Sequence, residues 1–359
     1  LKTPPSAGVL GLNRYPWRLY GEPDYRSAGV GAMSGMLFPL ADYWWFYLTF
    51  TAFVVVLLAM DLGVFHKKDR VVSLREASIW VAVWVISALI FNILLYQYSA
   101  AKFGPEIARK VGLEFLAGYI VEESLSVDNI FVFVMLFRYF GIPPLYQHRI
   151  LFFGILGAIV FRGIFIALGA VLMRYHWVVV LFGVFLIVTG VKMFSSKDES
   201  VHPDSNPLLK LMRRFLPVTS HFDGHNFLTK VNGVTAATPL LVTLLVVETT
   251  DIIFALDSVP AVFGLTKEPM IVFTSNIFAI LGLRSMYFVL ADAIDRFHLL
   301  KQGVALVLVF VGFKMSALNW LIGHEFPITA SLGIICAILA ISIVLSFIFP
   351  KKEGADAGA

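Results

Sequence analysis

Two short segments carry most of the chemistry in this chain: Glu122 to Asn129 reads EESLSVDN, and Asp251 to Ser258 reads DIIFALDS. Each sets an acid six residues before an aspartate. With Glu123 and Glu248, six carboxylates crowd the middle of two apolar stretches. A carboxylate at the centre of a membrane helix costs at least ~2.5 kcal/mol, so several together persist only where they meet a cation, a proton or a base. Oxygen ligands of this kind suit hard or borderline divalent ions such as Mn, Mg or Ca. Three bases, Arg162, Arg284 and Lys314, also stand in apolar stretches and are the natural charge partners. Six acids outnumber them by three, which favours an added cation or protonation. An arginine so placed orients a carboxylate more readily than it contacts a ligand. Lys192 is expected to snorkel at a helix end.

Helical geometry limits which groups can meet. At about 100° per residue, Glu122 and Asn129 share a face with Ser126 beside them, and Asp251 and Ser258 repeat the relation. Asp128 and Asp257 point elsewhere on an unbroken helix. They join the same site only where the helix unwinds or two helices surround the ion. Pro260 favours unwinding in the second segment, because it cannot donate to the carbonyl of Leu256. Asn276 could supply a further oxygen ligand or a hydrogen bond between helices, and Asn92 reads as a structural contact of the latter kind. His221, Asp223 and His225 lie close in SHFDGHNF, a spacing more typical of a turn with exposed histidines than of a metal site.

The elements that must position these residues are membrane helices. The chain has 359 residues, of which 58% are hydrophobic and only 14% charged, with mean hydropathy +0.82, far too apolar for a soluble domain. Stretches 43–60, 77–101, 175–191 and 326–350 lack charge for long enough to cross a hydrocarbon core. Stretches 112–137, 149–173, 238–265, 269–291 and 302–320 match them, with ionisable interruptions. The expected fold is an all-α polytopic membrane protein of about nine helices. Its expected parts are an N-terminal segment (1–41), two spans (42–110), a three-helix unit (111–194), a linker (195–237), a second three-helix unit (238–320), and a last span with its tail (321–359). Lys67, Lys68, Arg70 and Arg75 in the first connection, and Lys351 and Lys352 in the tail, favour an outside N-terminus and a cytoplasmic C-terminus. Residues 1–41 show no cleavable signal pattern.

The two units read as a repeat. Each acidic span is followed by one containing a single arginine, Arg162 in LGAIVFRG and Arg284 in LGLRSMYF, and then by TGVKMF and VGFKMS. Lys192 follows Arg162 by 30 residues, and Lys314 follows Arg284 by the same interval. Three crossings per unit make the repeats inverted, an architecture that places substrate near the midplane between them. In the linker, 208–216 (LLKLMRRFL) could lie at the headgroups as a basic amphipathic helix through Lys210, Arg213 and Arg214.

The single cysteine, Cys336, excludes a thiolate cage for a soft metal. Phosphate-binding glycine loops and activated serines are missing, so ATP-driven pumping and hydrolysis have no support, and the chain does not read as an enzyme or a nucleic-acid binder. The segments EESLSVDNIFVFVMLF, ATPLLVTLLVVETTDIIFALDSVPAVF, TSNIFAILGLRSMYFVL and VFVGFKM resemble the TerC/Alx family within the LysE-like exporters, over roughly residues 43–349. The resemblance implies manganese export or homeostasis in a membrane, with Glu122, Asp128, Glu248, Asp251 and Asp257 as the acidic positions carried over and Glu123 left out. The expectation is a secondary transporter exporting Mn(II) between two acidic helices, with proton exchange, in a bacterial cytoplasmic membrane and without an organic cofactor. The competing readings are a membrane assembly or scaffold protein, and a Ca(II) or proton transporter of the same fold.

Overall fold

The apolar stretches fold as helices that are longer than the uncharged cores alone. The structure, a computed structural model, describes residues 36–65, 73–195, 209, 214, 216–219, 221–231, 233–291, 297, 299–322 and 326–349. The helices are α1 (Leu40–Phe65), α2 (Leu74–Phe103), α3 (Pro105–Tyr139), α4 (Pro144–Leu172), α5 (His176–Ser195), α6 (Pro239–Phe263), α7 (Pro269–Leu290), α8 (Leu300–Phe313) and α9 (Ile328–Ile348). All but α3 are long and apolar enough to cross a membrane, and α3, at 35 residues, departs from that pattern through the ionisable residues it carries. The chain is an all-α polytopic membrane protein. The N-terminal segment up to residue 35, most of 208–216, and the basic residues Lys67, Lys68, Arg70, Lys351 and Lys352 lie outside the described residues.

Local chemistry explains where the helices begin. Pro105, Pro144, Pro239 and Pro269 each open one, at a position where the missing N–H costs nothing. Ser73 caps α2 by accepting the Glu76 N–H at 3.3 Å. Before α6 the linker makes an antiparallel hairpin, β1 (Leu228–Val231) and β2 (Val234–Ala237), with Gly233 at φ 81°. Thr238 then ties the start of α6 back to the linker by donating to the carbonyl of Asn226 at 2.8 Å.

Two departures from expectation concern helix continuity. Pro260 does not unwind α6 near the acids, which stays helical from Pro239 to Phe263. The proline falls in the last turn, where the helix ends anyway and the Gly264 N–H closes onto the Pro260 carbonyl at 2.9 Å. Conversely, the eighth span is not one uniform helix. At Lys314–Leu318 it widens to a π turn before a last short helix, Asn319–Ile322. Such π segments are uncommon and concentrate at functional places.

Helices α3, α4 and α5 pack against α7, α6 and α8 respectively. Contacts advance in the same direction along α3 and α7, from Gly118 at Ser275 to Phe137 at Tyr287. They do so again along α4 and α6, from Gly154 at Val247 to Gly169 at Phe263. Since α3 and α4 form a hairpin, α3 and α6 run in opposite directions. α5 and α8 also run antiparallel and approach closely: a Cβ at Gly183 would lie 2.8 Å from the Gly312 carbonyl oxygen, and one at Gly190 2.6 Å from that of Ala305. Glycine at these two positions is what lets the backbones meet. Around this centre, α2 covers α3 and α7 through Phe91, Phe115 and Phe278. On the other side α9 packs on α8, with Ser342 against Gly303 and Ser346 accepting the Leu299 N–H.

Candidate cation site

One guanidinium joins the four central helices. Arg162, on α4, is fully buried. It forms an ion pair with Glu122 of α3, meets Asp251 Oδ1 of α6 at 3.3 Å, and donates to Asn276 Oδ1 of α7 at 3.0 Å. Glu122, Asp251 and Asn276 are themselves at most 2% exposed. With two carboxylates and one guanidinium in their ionised forms, the cluster carries one net negative charge. Such a group out of water is stable only when its remaining lone pairs are also engaged.

Several of those lone pairs have no protein partner. Asp251 Oδ2, Ser126 Oγ, Ser258 Oγ and Glu248 Oε2 are buried and lack hydrogen bonds within the protein. These are hard oxygen donors, and they come from both acidic helices. The helical faces behave as their spacing requires: Glu122, Ser126 and Asn129 are buried on α3, and Asp251 and Ser258 on α6. Glu248 lies against the bare backbone of α4, where a Cβ on Gly157 would fall 2.1 Å from both its carboxylate oxygens. Its charge also reaches Asp251.

Asp128 and Asp257 are half-buried. Asp257 lies within electrostatic reach of Asp128 and of Arg162, and Asp128 within reach of Lys301 at the start of α8. Among the described residues, no three of His, Cys, Asp and Glu stand close enough to hold one ion together. The five acidic positions therefore divide into an arginine-bridged pair, Glu122 and Asp251, with Glu248 beside it, and a looser pair, Asp128 and Asp257. Arg284 and Lys314 are buried like Arg162. Lys192 is exposed at the end of α5.

The polar residues at the edges of this centre take structural places. Glu123 is half-buried beside Gly282 of α7, and Asn92 of α2 faces Gly112 of α3, its Oδ1 accepting no hydrogen bond. His225 packs edge-on against Tyr146, and Asp223 accepts from Asn226 in a turn. Sequence reasoning passed over two buried acids, Glu114 and Glu268. Thr266 links them, donating to Glu114 at 2.6 Å and accepting the Glu268 N–H at 3.2 Å. A threonine two residues before a glutamate, in the tight α6–α7 loop, was the available signal.

This geometry sits within a match to the integral membrane protein TerC family model over residues 107–354. The chain belongs to the TerC family. It is 52% identical over 300 residues to the membrane protein STKORF319 of Myxococcus xanthus, covering 83% of this chain and 91% of that protein. It is 42% identical over 299 residues to Alx of Salmonella typhi, whose name describes a membrane-bound redox modulator, covering 83% of this chain and 92% of Alx. The thylakoid membrane protein TERC of Arabidopsis thaliana is 46% identical over 253 residues, 69% of this chain and 65% of that protein. No solved structure matches.

Proposed function

We propose that this TerC-family protein is a secondary transporter that exports Mn(II), taking the ion at the junction of α3 and α6. The observation that carries the reading is the bridged acid pair itself: Glu122 and Asp251 share one buried arginine, and the oxygens of Asp251, Ser126, Ser258 and Glu248 around it have no protein partner. A divalent ion would satisfy those oxygens and offset the net negative charge. Arg162 holds the two carboxylates in place and limits how tightly an ion is kept. Protonation of the emptied acids would couple release to an opposing proton. Asp128 and Asp257, linked to the centre by charge, are suited to receive the ion next.

The packing of α3, α4 and α5 against α7, α6 and α8 supports alternating access between two inverted units. Gly183 and Ala305 are 122 positions apart, as are Gly190 and Gly312, Arg162 and Arg284, and Lys192 and Lys314. Exchanging the units therefore carries the contact of Gly183 with Gly312 onto that of Ala305 with Gly190. The same exchange would put Arg284 in the place of Arg162 in the opposite-facing state. We assign the membrane as a bacterial cytoplasmic one, with the N-terminus outside and the linker before α6 inside, on the positive charge of the connections.

An intrachain disulfide cycle has no support in this sequence, since Cys336 is its one cysteine. The test is Mn(II) flux in proteoliposomes carrying an internal Mn-sensitive dye. Glu122→Gln and Asp251→Asn should each lower flux at least about tenfold, the equivalent of losing one charge-assisted contact of ~1.5 kcal/mol. Wild-type flux in both variants, or equal flux of Ca(II) in competition, would overturn the assignment to Mn(II) at this pair.

A further inference from the structure

At the end of the bundle opposite the linker, a groove of about 440 Å³ runs between α1, α2 and the start of α7. Its walls are aromatic and aliphatic, with Phe46, Phe50, Phe53 and Phe91 along its length and the exposed Thr49 also lining it. Trp44, Trp45 and Tyr98 are exposed at this end, the pattern by which aromatic side chains mark the headgroup level of a bilayer. The groove therefore opens at that level and descends among acyl chains.

Its upper rim is polar and positively charged. Lys102 Nζ stands 4.6 Å from the ring centroid of Tyr43 and 5.7 Å from that of Phe103. It also donates to Tyr98 Oη at 3.5 Å. Among the described residues no carboxylate lies within salt-bridge distance of Lys102. Tyr43, which lines the groove, is 5% exposed, and its ring lies beneath Lys102. Among the described residues, a cation without a carboxylate and two phenols thus meet at the mouth of an apolar slot.

We propose that this groove binds one anionic phospholipid, with the phosphate at Lys102, Tyr98 and Tyr43 and an acyl chain along Phe46, Phe50 and Phe53. The charge selects the headgroup and the slot accepts the chain. Bound there, the lipid would fasten α1 and α2 to α7, which carries Asn276 of the arginine cluster.

Native mass spectrometry of the full chain, with phosphatidylglycerol and phosphatidylcholine of matched chains, tests this independently of transport. The wild type should retain phosphatidylglycerol in preference. Lys102→Gln should lower that retention about fivefold, as expected for one lysine at an anionic surface, and lower phosphatidylcholine retention less, so that the preference narrows. Thr49→Trp, which fills the slot from an exposed position and leaves Lys102 intact, should lower retention of both lipids. Equal retention of the two lipids by the wild type, or unchanged retention in both variants, would overturn the proposal. So would a gain of lipid on deleting residues 1–35, which would identify that segment as the occupant.

Discussion

Removing Arg162 should cost more than removing either acid it bridges. In Arg162→Met the two carboxylates of Glu122 and Asp251 stay buried with no guanidinium between them. The contact with Asp251 alone, at 3.3 Å, is worth about 5 kcal/mol of gross attraction at an effective dielectric of about 20. Desolvation offsets much of that, and breaking a buried pair by removing one partner typically costs about 3–5 kcal/mol. Asp251→Asn acts oppositely on the charge balance. It takes the cluster from one net negative charge to neutrality, with Arg162 still paired to Glu122 and bonded to Asn276, so its cost should stay below about 1.5 kcal/mol. The double variant leaves only Glu122 charged and should be more stable than Arg162→Met, giving a coupling of at least about 1 kcal/mol. Reversible unfolding in mixed micelles, followed by far-UV circular dichroism, measures all three. If Arg162→Met unfolds with the wild type, or if the double variant is the least stable of the three, the arginine does not balance this pair.

Three further outcomes follow from the same geometry. Gly157→Ala should lower Mn(II) flux severalfold with the fold retained, because its Cβ would displace the Glu248 carboxylate, the mobile end of a long side chain; flux and far-UV circular dichroism measured together check it. Gly190→Ala should instead destabilise the protein by about 1–3 kcal/mol, since its Cβ would meet the Ala305 carbonyl oxygen at 2.6 Å and backbone cannot turn aside, and micellar unfolding reads that loss. Cys336→Ser should leave flux unchanged, while a lipid-soluble maleimide should label the wild type at this exposed position on α9.

The span pattern was legible because hydrocarbon imposes a length on uncharged sequence, and eight of the nine helices satisfy it by composition alone. The ends were less legible. The α3 helix begins at Pro105, seven residues before the apolar stretch, because a proline at the first turn and the amphipathic run through Arg109 and Lys110 extend it beyond the core. The π turn at Lys314 has no counterpart in residue type, and it lies where Ser316 meets Gly183 of α5.

The site was legible to the extent that it follows from a single helix. A seven-residue interval puts Glu122 with Asn129 and Asp251 with Ser258, and all four are buried, while by the same rule Asp128 and Asp257 belong to another face of each helix. Which base meets which acid is a three-body question. Arg162, Arg284 and Lys314 are equal candidates in the sequence, and only the crossing of α4 with α3, α6 and α7 brings the first to both Glu122 and Asp251. Pro260 misleads for a related reason. A proline breaks a helix according to what its freed carbonyl can find, and in the last turn of α6 there is little helix left to break. The acids are therefore presented by two unbroken helices, α3 and α6, and Arg162 of α4 is what joins Glu122 of the first to Asp251 of the second.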